Sequence, residues 1–243
     1  MALELTPFAT MLLYPTAAGV GIPLGALLAR VPRLHPRWLE SEFKHFVMAF
    51  GGGVLVAAVG LVLIPDGSAF VGSPFASTGL LLLGGGLFFW LERLLARRKR
   101  GAPFLLATLL DYIPESLALG AAFAVGASGA PLLALLIGLQ NLPEGFNAWR
   151  ELARGPGTHQ RRALLGFFAL VPLGPALAAL GWLTLADHTE VIGAIMLLAS
   201  GGILYIVFQD IAPNARIKAQ GFPALGAVCG FAVALLGQQL LGG

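Results

Sequence analysis

The sequence predicts an all-α, polytopic membrane protein: one transmembrane domain over residues 1–243, eight spanning helices, and both termini outside. Three observations predict it. Hydrophobic residues make up 57% of the chain and charged residues only 11%, against roughly 25% charged in an ordinary soluble domain, and the mean hydropathy is +0.84. So few charges cannot cover a soluble globule of this size, which excludes a typical cytosolic enzyme, a disordered chain and a nucleic-acid-binding domain. A membrane helix needs about 20 mostly apolar residues, and the chain offers eight such segments. Finally, every Lys and Arg falls on one side of the alternation those segments create.

The segments lie at about 6–29, 44–65, 76–95, 103–127, 130–150, 161–185, 189–212 and 222–242. The first lacks a basic leader and a cleavage site and reads as a retained span, not a signal peptide. The second closes on Pro65-Asp66 at its outer end. The third holds Gly84-Gly85-Gly86 and ends on Glu92-Arg93, read as an interfacial pair. The fourth and fifth carry polar segments, and the sixth contains Val171-Pro172-Leu173-Gly174. The seventh holds Gly201-Gly202 and brings Gln209-Asp210 to its inner end before Pro213. The eighth is an apolar run around Cys229, the one cysteine, read as a buried packing residue; a single cysteine excludes a disulfide framework and a cysteine-based zinc site. Glycines inside spans let helices approach closely.

Orientation follows from the basic residues. With the N-terminus outside, the inner connections carry Arg30, Arg33, Arg37 and Lys44; Arg93, Arg97, Arg98, Lys99 and Arg100; Arg150, Arg154, Arg161 and Arg162; and Arg216 and Lys218. These are all 15 Lys and Arg of the chain. The basic pI near 9.4 is therefore a topology signal, and no nucleic-acid partner is expected.

A charge at the bilayer centre costs at least about 2.5–3.5 kcal/mol. Two segments carry such groups: Asp111-Tyr112-Ile113-Pro114-Glu115-Ser116 in the fourth span and Gln140-Asn141-Leu142-Pro143-Glu144-Gly145 in the fifth. Asp111 and Glu115 share a helix face, as do Gln140 and Glu144. A short connection makes the two helices antiparallel neighbours. At about 1.5 Å per residue, Glu115 lies roughly 18 Å and Asp111 roughly 12 Å from the inner start of their helix; Gln140 lies roughly 15 Å and Glu144 roughly 21 Å below the outer start of theirs. Glu115 then levels with Gln140, and Asp111 with Glu144, near mid-membrane. Pro114 and Pro143 leave the carbonyls of Leu110 and Leu139 without helical donors. Carboxylates and amides together, with no Lys or Arg beside them, call for a cation, and oxygen ligands suit hard or borderline divalent ions. The structural alternative is protonated carboxylates hydrogen-bonded in a core. Asp66, Gln209 and Asp210 read either as entrance and exit relays for the ion or as interfacial solvation. Met48 and Met196 read as packing residues. Asp187, His188 and Glu190 read as solvated, and His35, His45 and His159 as inner-side groups with at most a weak metal-collecting role.

These segments resemble the ZIP family of divalent-metal transporters, in a divergent, bacterial-type form. The resemblance rests on Tyr112 through Gly120, Asn141 through Ala148, Gly201 through Pro213, and Pro65-Asp66. It implies a ZIP-like helix bundle in a bacterial inner membrane, crossed many times. It implies a metal centre from Asp111, Glu115, Gln140, Asn141 and Glu144, with Glu115 and Glu144 as the metal-bridging pair. Asp111 stands where the family commonly has His, Tyr112 where it commonly has Asn, and Gln209-Asp210 where His-Glu is frequent. Val171 replaces an acidic residue some members carry. These departures favour one metal held by Asp111, Glu115, Gln140 and Glu144, and leave room for Fe²⁺, Mn²⁺ or Cd²⁺ beside Zn²⁺. The resemblance also implies a second-fourth-fifth-seventh helix unit moving against the others, and allows a homodimer. The metal is cargo; no catalytic cofactor is expected, and the chain is read as a carrier, not an enzyme. The alternatives are a non-transporting metal sensor, a carrier of another cation, and an intramembrane metal-dependent hydrolase, for which no His-Glu-x-x-His pattern is present.

Overall fold

The structure, a computed structural model, describes residues 6–30, 37–96, 103–152, 160–215 and 222–241. Every regular element among them is helical: α1 (Pro7–Ala29), α2 (Arg37–Ala58), α3 (Ile64–Val71), α4 (Pro74–Ala96), α5 (Pro103–Ala124), α6 (Ala130–Leu152), α7 (Gln160–Leu170), α8 (Leu173–Leu185), α9 (Thr189–Ile206), α10 (Ala212–Asn214) and α11 (Phe222–Leu241). Six helical segments of the described residues are long and apolar enough to cross a membrane, which makes this an integral, multi-pass membrane protein. α5 and α6 are 22 and 23 residues long, sufficient for a crossing. The described side chains of α5 begin only at Tyr112, and α6 is made less apolar by Gln140, Asn141, Glu144 and Asn147. Residues 31–36, 97–102, 153–159 and 216–221 of the connections, which hold Arg33, Arg97, Arg98, Lys99, Arg100, Arg154, Arg216 and Lys218 with His35 and His159, lie outside the described residues.

The helix end expected at Pro65 is not an end, while the one expected at Pro213 falls at Asn214. α2 runs through a wide π turn, Val59–Leu63, into α3, making one 30-residue segment, Glu42–Val71. α9 likewise runs through Val207–Ile211 into α10. In each case the turn is closed by an i→i−5 bond, Ile64 N–H to Val59 O and Ala212 N–H to Val207 O, immediately before Pro65 and Pro213. A proline ring clashes with the carbonyl four residues earlier, and a locally widened turn makes room for it. The helix ends instead at Gly72, whose φ of 67° is open to glycine without strain. The sixth span is one segment, Arg161–Leu185, with a two-residue turn at Val171-Pro172 between α7 and α8.

The turn from α5 to α6 is a Schellman motif. Gly126 has φ of 67°, Ala127 N–H donates to Ala122 O at 2.9 Å, and Gly126 N–H donates to Phe123 O at 3.2 Å. This reverses the chain within five residues and makes α5 and α6 antiparallel neighbours, as the short connection predicts.

Glycines decide which helices pair. A Cβ on Gly25 would collide with the Leu142 carbonyl, and one on Gly145 with the Ile22 carbonyl, locking α1 to α6. The same reciprocal arrangement joins α2 to α11 through Gly53 and Ala227, Gly230 and Phe50. It joins α4 to α9 through Gly84 and Leu198, Gly201 and Leu81. It joins α5 to α8 through Gly120 and Ala178, Gly181 and Leu117. In all four pairs each glycine sits on the carbonyl three residues before its partner glycine. The contacts flanking each lock advance together in both sequences, so all four pairs are parallel. Close backbone approach of this kind brings in Cα–H···O contacts and dense packing in an environment without a hydrophobic driving force.

The pairs gather into two groups. α1, α5, α6 and α8 pack on one another; α3, α4 and α9 do likewise with α2, and α11 joins them through α2. Between the groups the main contact is α2 against α6, where the Pro143 ring, and not a backbone carbonyl, faces Gly51. The second, fourth, fifth and seventh spans, the unit the family resemblance implies, also touch one another, through α2 and α6, α3 and α9, α5 and α6, and α5 and α9.

Candidate metal centre

Four of the five metal-site candidates have described side chains, and all four lie on α5 and α6. Gln140 donates its Nε2 to Glu115 Oε2 at 2.6 Å. Both residues are buried, Glu115 at 0% and Gln140 at 1% exposure. The register explains the meeting: Glu115 precedes the end of α5 by nine residues and Gln140 follows the start of α6 by ten, roughly 14 and 15 Å from the turn. Gln140 Oε1 is buried and has no hydrogen-bond partner. Glu144, one turn further along the Gln140 face, has both carboxylate oxygens sealed from the surface.

Asn141 sits differently. It is 1% exposed, and its Nδ2 donates to the Ala18 carbonyl of α1 at 2.9 Å. Its amide nitrogen therefore ties α6 to α1, and only its oxygen is left for an ion. The Asp111 side chain lies outside the described residues. Among the described residues no three His, Cys, Asp or Glu side chains gather; the contact made is between the Glu115 carboxylate and the Gln140 amide, with Glu144 one turn along α6.

Tyr112 has its hydroxyl between Gly19 of α1 and Gly174 of α8, where a Cβ on either glycine would run into it. This wedge is possible because both positions lack a side chain. Tyr112 is buried at 1% and belongs to the α1–α5–α8 packing.

The relay candidates are apart from this cluster. Asp66 sits where a Cβ on Gly129 would meet its Oδ2 at 2.5 Å, so its carboxylate lies at the start of α6. That start carries the partial positive charge of a helix N-terminus, and Gln140 lies roughly 15 Å further along the helix. Gln209 and Asp210 fall in the π turn after α9. Gln209 Nε2 donates to Glu92 Oε1 at 3.4 Å, the Tyr205 hydroxyl donates to Glu92 Oε2, and Asn214 donates to the Asp210 carbonyl at 2.7 Å. Glu92 is thus tied to α9 and its π turn. Arg93, expected to pair with it, lies over the Phe89 ring at 4.4 Å.

Three further expectations are settled by burial. Met48 and Met196 are packing residues, at 4% and 0% exposure. Asp187, His188 and Glu190 are exposed. Cys229 is exposed, not buried, because α11 packs through Gly226 and Gly230 and turns the intervening positions outward. The residue the sequence reading passed over is Asn147. It is 6% exposed, and its Oδ1 has no hydrogen-bond partner. The spacing of Gln140, Glu144 and Asn147 (i, i+4, i+7) puts it on the same stripe, a signal present in the sequence.

No protein-family model matches the chain, and no curated protein matches it.

Proposed function

We propose that the chain is a divalent metal-ion transporter, carrying Zn²⁺, Fe²⁺, Mn²⁺ or a similar ion toward the cytoplasm, with eight spans and both termini outside. The observation that carries the reading is the Glu115–Gln140 pair. Two proline-bearing helices of a membrane bundle bury a carboxylate against an amide, with Glu144 one turn away. An ionised side chain at that depth is costly unless something offsets its charge, and a passing divalent cation is the species that does so. The ZIP resemblance of the same segments supports the reading, as does the even spacing of the parallel helix pairs in span order, which suits alternating crossings.

In this reading Asp66 attracts the hydrated ion at the outer start of α6. Glu115, Gln140 and Glu144, with Asp111 and the Asn141 oxygen, replace its water ligands. Gln209 and Asp210 aid release at the inner end. The α1–α5–α6–α8 group carries every central ligand, and the second group carries Asp66, Gln209 and Asp210. Movement of the first group along the glycine-and-proline contact between α2 and α6 would pass the ion from one to the other. Sites near the bilayer midplane follow general transporter logic, and here α5 and α6 run unbroken through Pro114 and Pro143. Protons compete with the metal for carboxylate ligands, so uptake falls as the pH is lowered.

The test is uptake of Zn²⁺, Fe²⁺, Mn²⁺, Co²⁺, Ni²⁺ and Cd²⁺ into proteoliposomes, with Glu115→Gln and Glu144→Gln beside the wild type. Saturable uptake of at least one ion, lost in both variants, is the expected result. A folded, correctly inserted protein that moves none of them refutes a transporter of these ions.

A further inference from the structure

Two buried oxygens on α6 lack a hydrogen-bond partner, Gln140 Oε1 and Asn147 Oδ1. Gln140 is 1% and Asn147 6% exposed. Leaving such an acceptor unmet is costly, and buried polar groups in folded proteins are almost always satisfied, by protein, water or an ion. The two residues flank Glu144 on one stripe of the helix, Gln140 four residues before it and Asn147 three after. At the first end of the stripe the Gln140 nitrogen is engaged by Glu115. Asn147 takes no part in that contact and lies nearly two turns further along.

Depth separates these oxygens into two sets. At about 1.5 Å per residue, Gln140 lies roughly 6 Å from Glu144 toward the start of α6, and Asn147 roughly 4.5 Å from it toward the end. Roughly 10 Å therefore divides the two amides along the axis. Hard cations sit about 2.0–2.6 Å from their oxygen ligands, so two ligands of one ion stand at most about 5 Å apart. Helical side chains lean toward the N-terminus, so Asn147 reaches back toward Glu144 while Gln140 reaches away from it, to its bond with Glu115. One ion cannot take both amide oxygens. The Glu144 carboxylate, between them, can serve an ion at either. The Asn147 end also adjoins α2: Pro143, one turn before Asn147, has its ring against Gly51.

We propose that Glu144 and Asn147 form a second cation position, separate from the one at Glu115 and Gln140, with the Glu144 carboxylate shared between the two. This rests on the reading of the chain as a divalent-metal carrier and adds the step by which the ion leaves its central ligands. The ion moves about one turn along α6 without giving up Glu144. It then stands beside α2, against which the π turn of Gln209 and Asp210 also packs. A neutral amide takes the place of the Glu115 carboxylate as the partner of Glu144. The second position therefore holds the ion more weakly than the first, as an ion on its way out requires.

The test counts bound Mn²⁺, an ion suited to all-oxygen ligands, by electron paramagnetic resonance of the purified full chain. Two ions per chain are expected in the wild type, in a tighter and a weaker step. Asn147→Leu should keep the tighter step and lose the weaker. Asn147→Asp should keep both and tighten the weaker at least about tenfold, a change of about 1.4 kcal/mol. Glu115→Gln should remove the tighter step, and Glu144→Gln should weaken both. Circular dichroism and monodisperse elution establish that each variant is folded. A wild type that binds one ion overturns the second position and leaves the carrier reading standing. A folded Asn147→Leu that still binds two ions does the same. One that binds none also overturns it, because Asn147 would then belong to the first position. A folded wild type that binds no Mn²⁺ overturns the all-oxygen cation centre itself, and this position with it.

Discussion

Gln140 of α6 donates to the carboxylate of Glu115 on α5 at 2.6 Å, with both residues shut off from the surface. The bond joins the two proline-bearing helices at matched depth. Its strength and its chemistry can be separated by substitution. Glu115→Gln keeps an acceptor oxygen and removes the charge, so thermal stability in detergent should hold or rise while metal uptake is lost. Glu115→Ala leaves the Gln140 amide unsatisfied and should cost about 1–3 kcal/mol. Thermal unfolding beside vesicle uptake checks both, and a Glu115→Gln protein that transports normally would remove the carboxylate from the mechanism.

Asn147 offers the opposite case. A buried amide oxygen without a partner is a standing cost of about 1–3 kcal/mol. Asn147→Leu should therefore raise the unfolding temperature, and should slow metal uptake because the oxygen lies on the Gln140–Glu144 stripe. Faster or unchanged uptake would show that the oxygen has no part in ion passage.

The glycine locks make a comparison within one helix. Gly84→Ala in α4 drives a methyl into the Leu198 carbonyl, and overpacking of this kind typically costs about 1–3 kcal/mol. Gly79→Ala and Gly86→Ala, on the same helix, meet nothing within 4 Å. They should be neutral or stabilising by up to about 1 kcal/mol through helix propensity alone. Unfolding midpoints of the three variants decide the matter.

Tyr112 and Gly174 should behave as a coupled pair. Gly174→Ala places a methyl against the Tyr112 hydroxyl and should lower stability. Tyr112→Phe removes that oxygen and should recover part of the loss. The double variant should then be more stable than the sum of the two singles predicts, with a coupling of about 0.5–3 kcal/mol. Strict additivity would place the hydroxyl elsewhere.

Asp66 lies at the start of α6 against Gly129, apart from the central cluster. Asp66→Asn should raise the metal concentration needed for half-maximal uptake while leaving the maximal rate near wild type. Uptake measured across metal concentration tests this, and a fall in maximal rate alone would argue against a capture role.

Composition was enough to declare a helical membrane protein, because 57% hydrophobic and 11% charged residues have no other stable solution. Helical spacing and the short α5–α6 connection were enough to level Glu115 with Gln140, since rise per residue is nearly constant and the turn is tight. The i, i+4, i+7 spacing of Asn147 was legible too and simply lay one turn past the motif. Proline was the misleading signal. Pro65 read as a helix end and is not, Pro213 lies one residue before the end of its segment, and Pro172 puts a two-residue turn into a span that read as continuous. A π turn ahead of the ring is not what decides, since Pro15, Pro23, Pro114 and Pro143 lie inside α-helices without one; the outcome depends on neighbours the local sequence does not name. Glu92 was assigned to Arg93 because they adjoin in sequence, yet adjacent helical residues point apart and a second helix, α9 with its π turn, supplies Tyr205 and Gln209. Which helices pair was decided only in three dimensions. A glycine in a lipid-soluble helix is equally at home facing lipid, as Gly79 and Gly86 show, or seated on a carbonyl, as Gly84 and Gly201 are. Only the fit of two backbones distinguishes them.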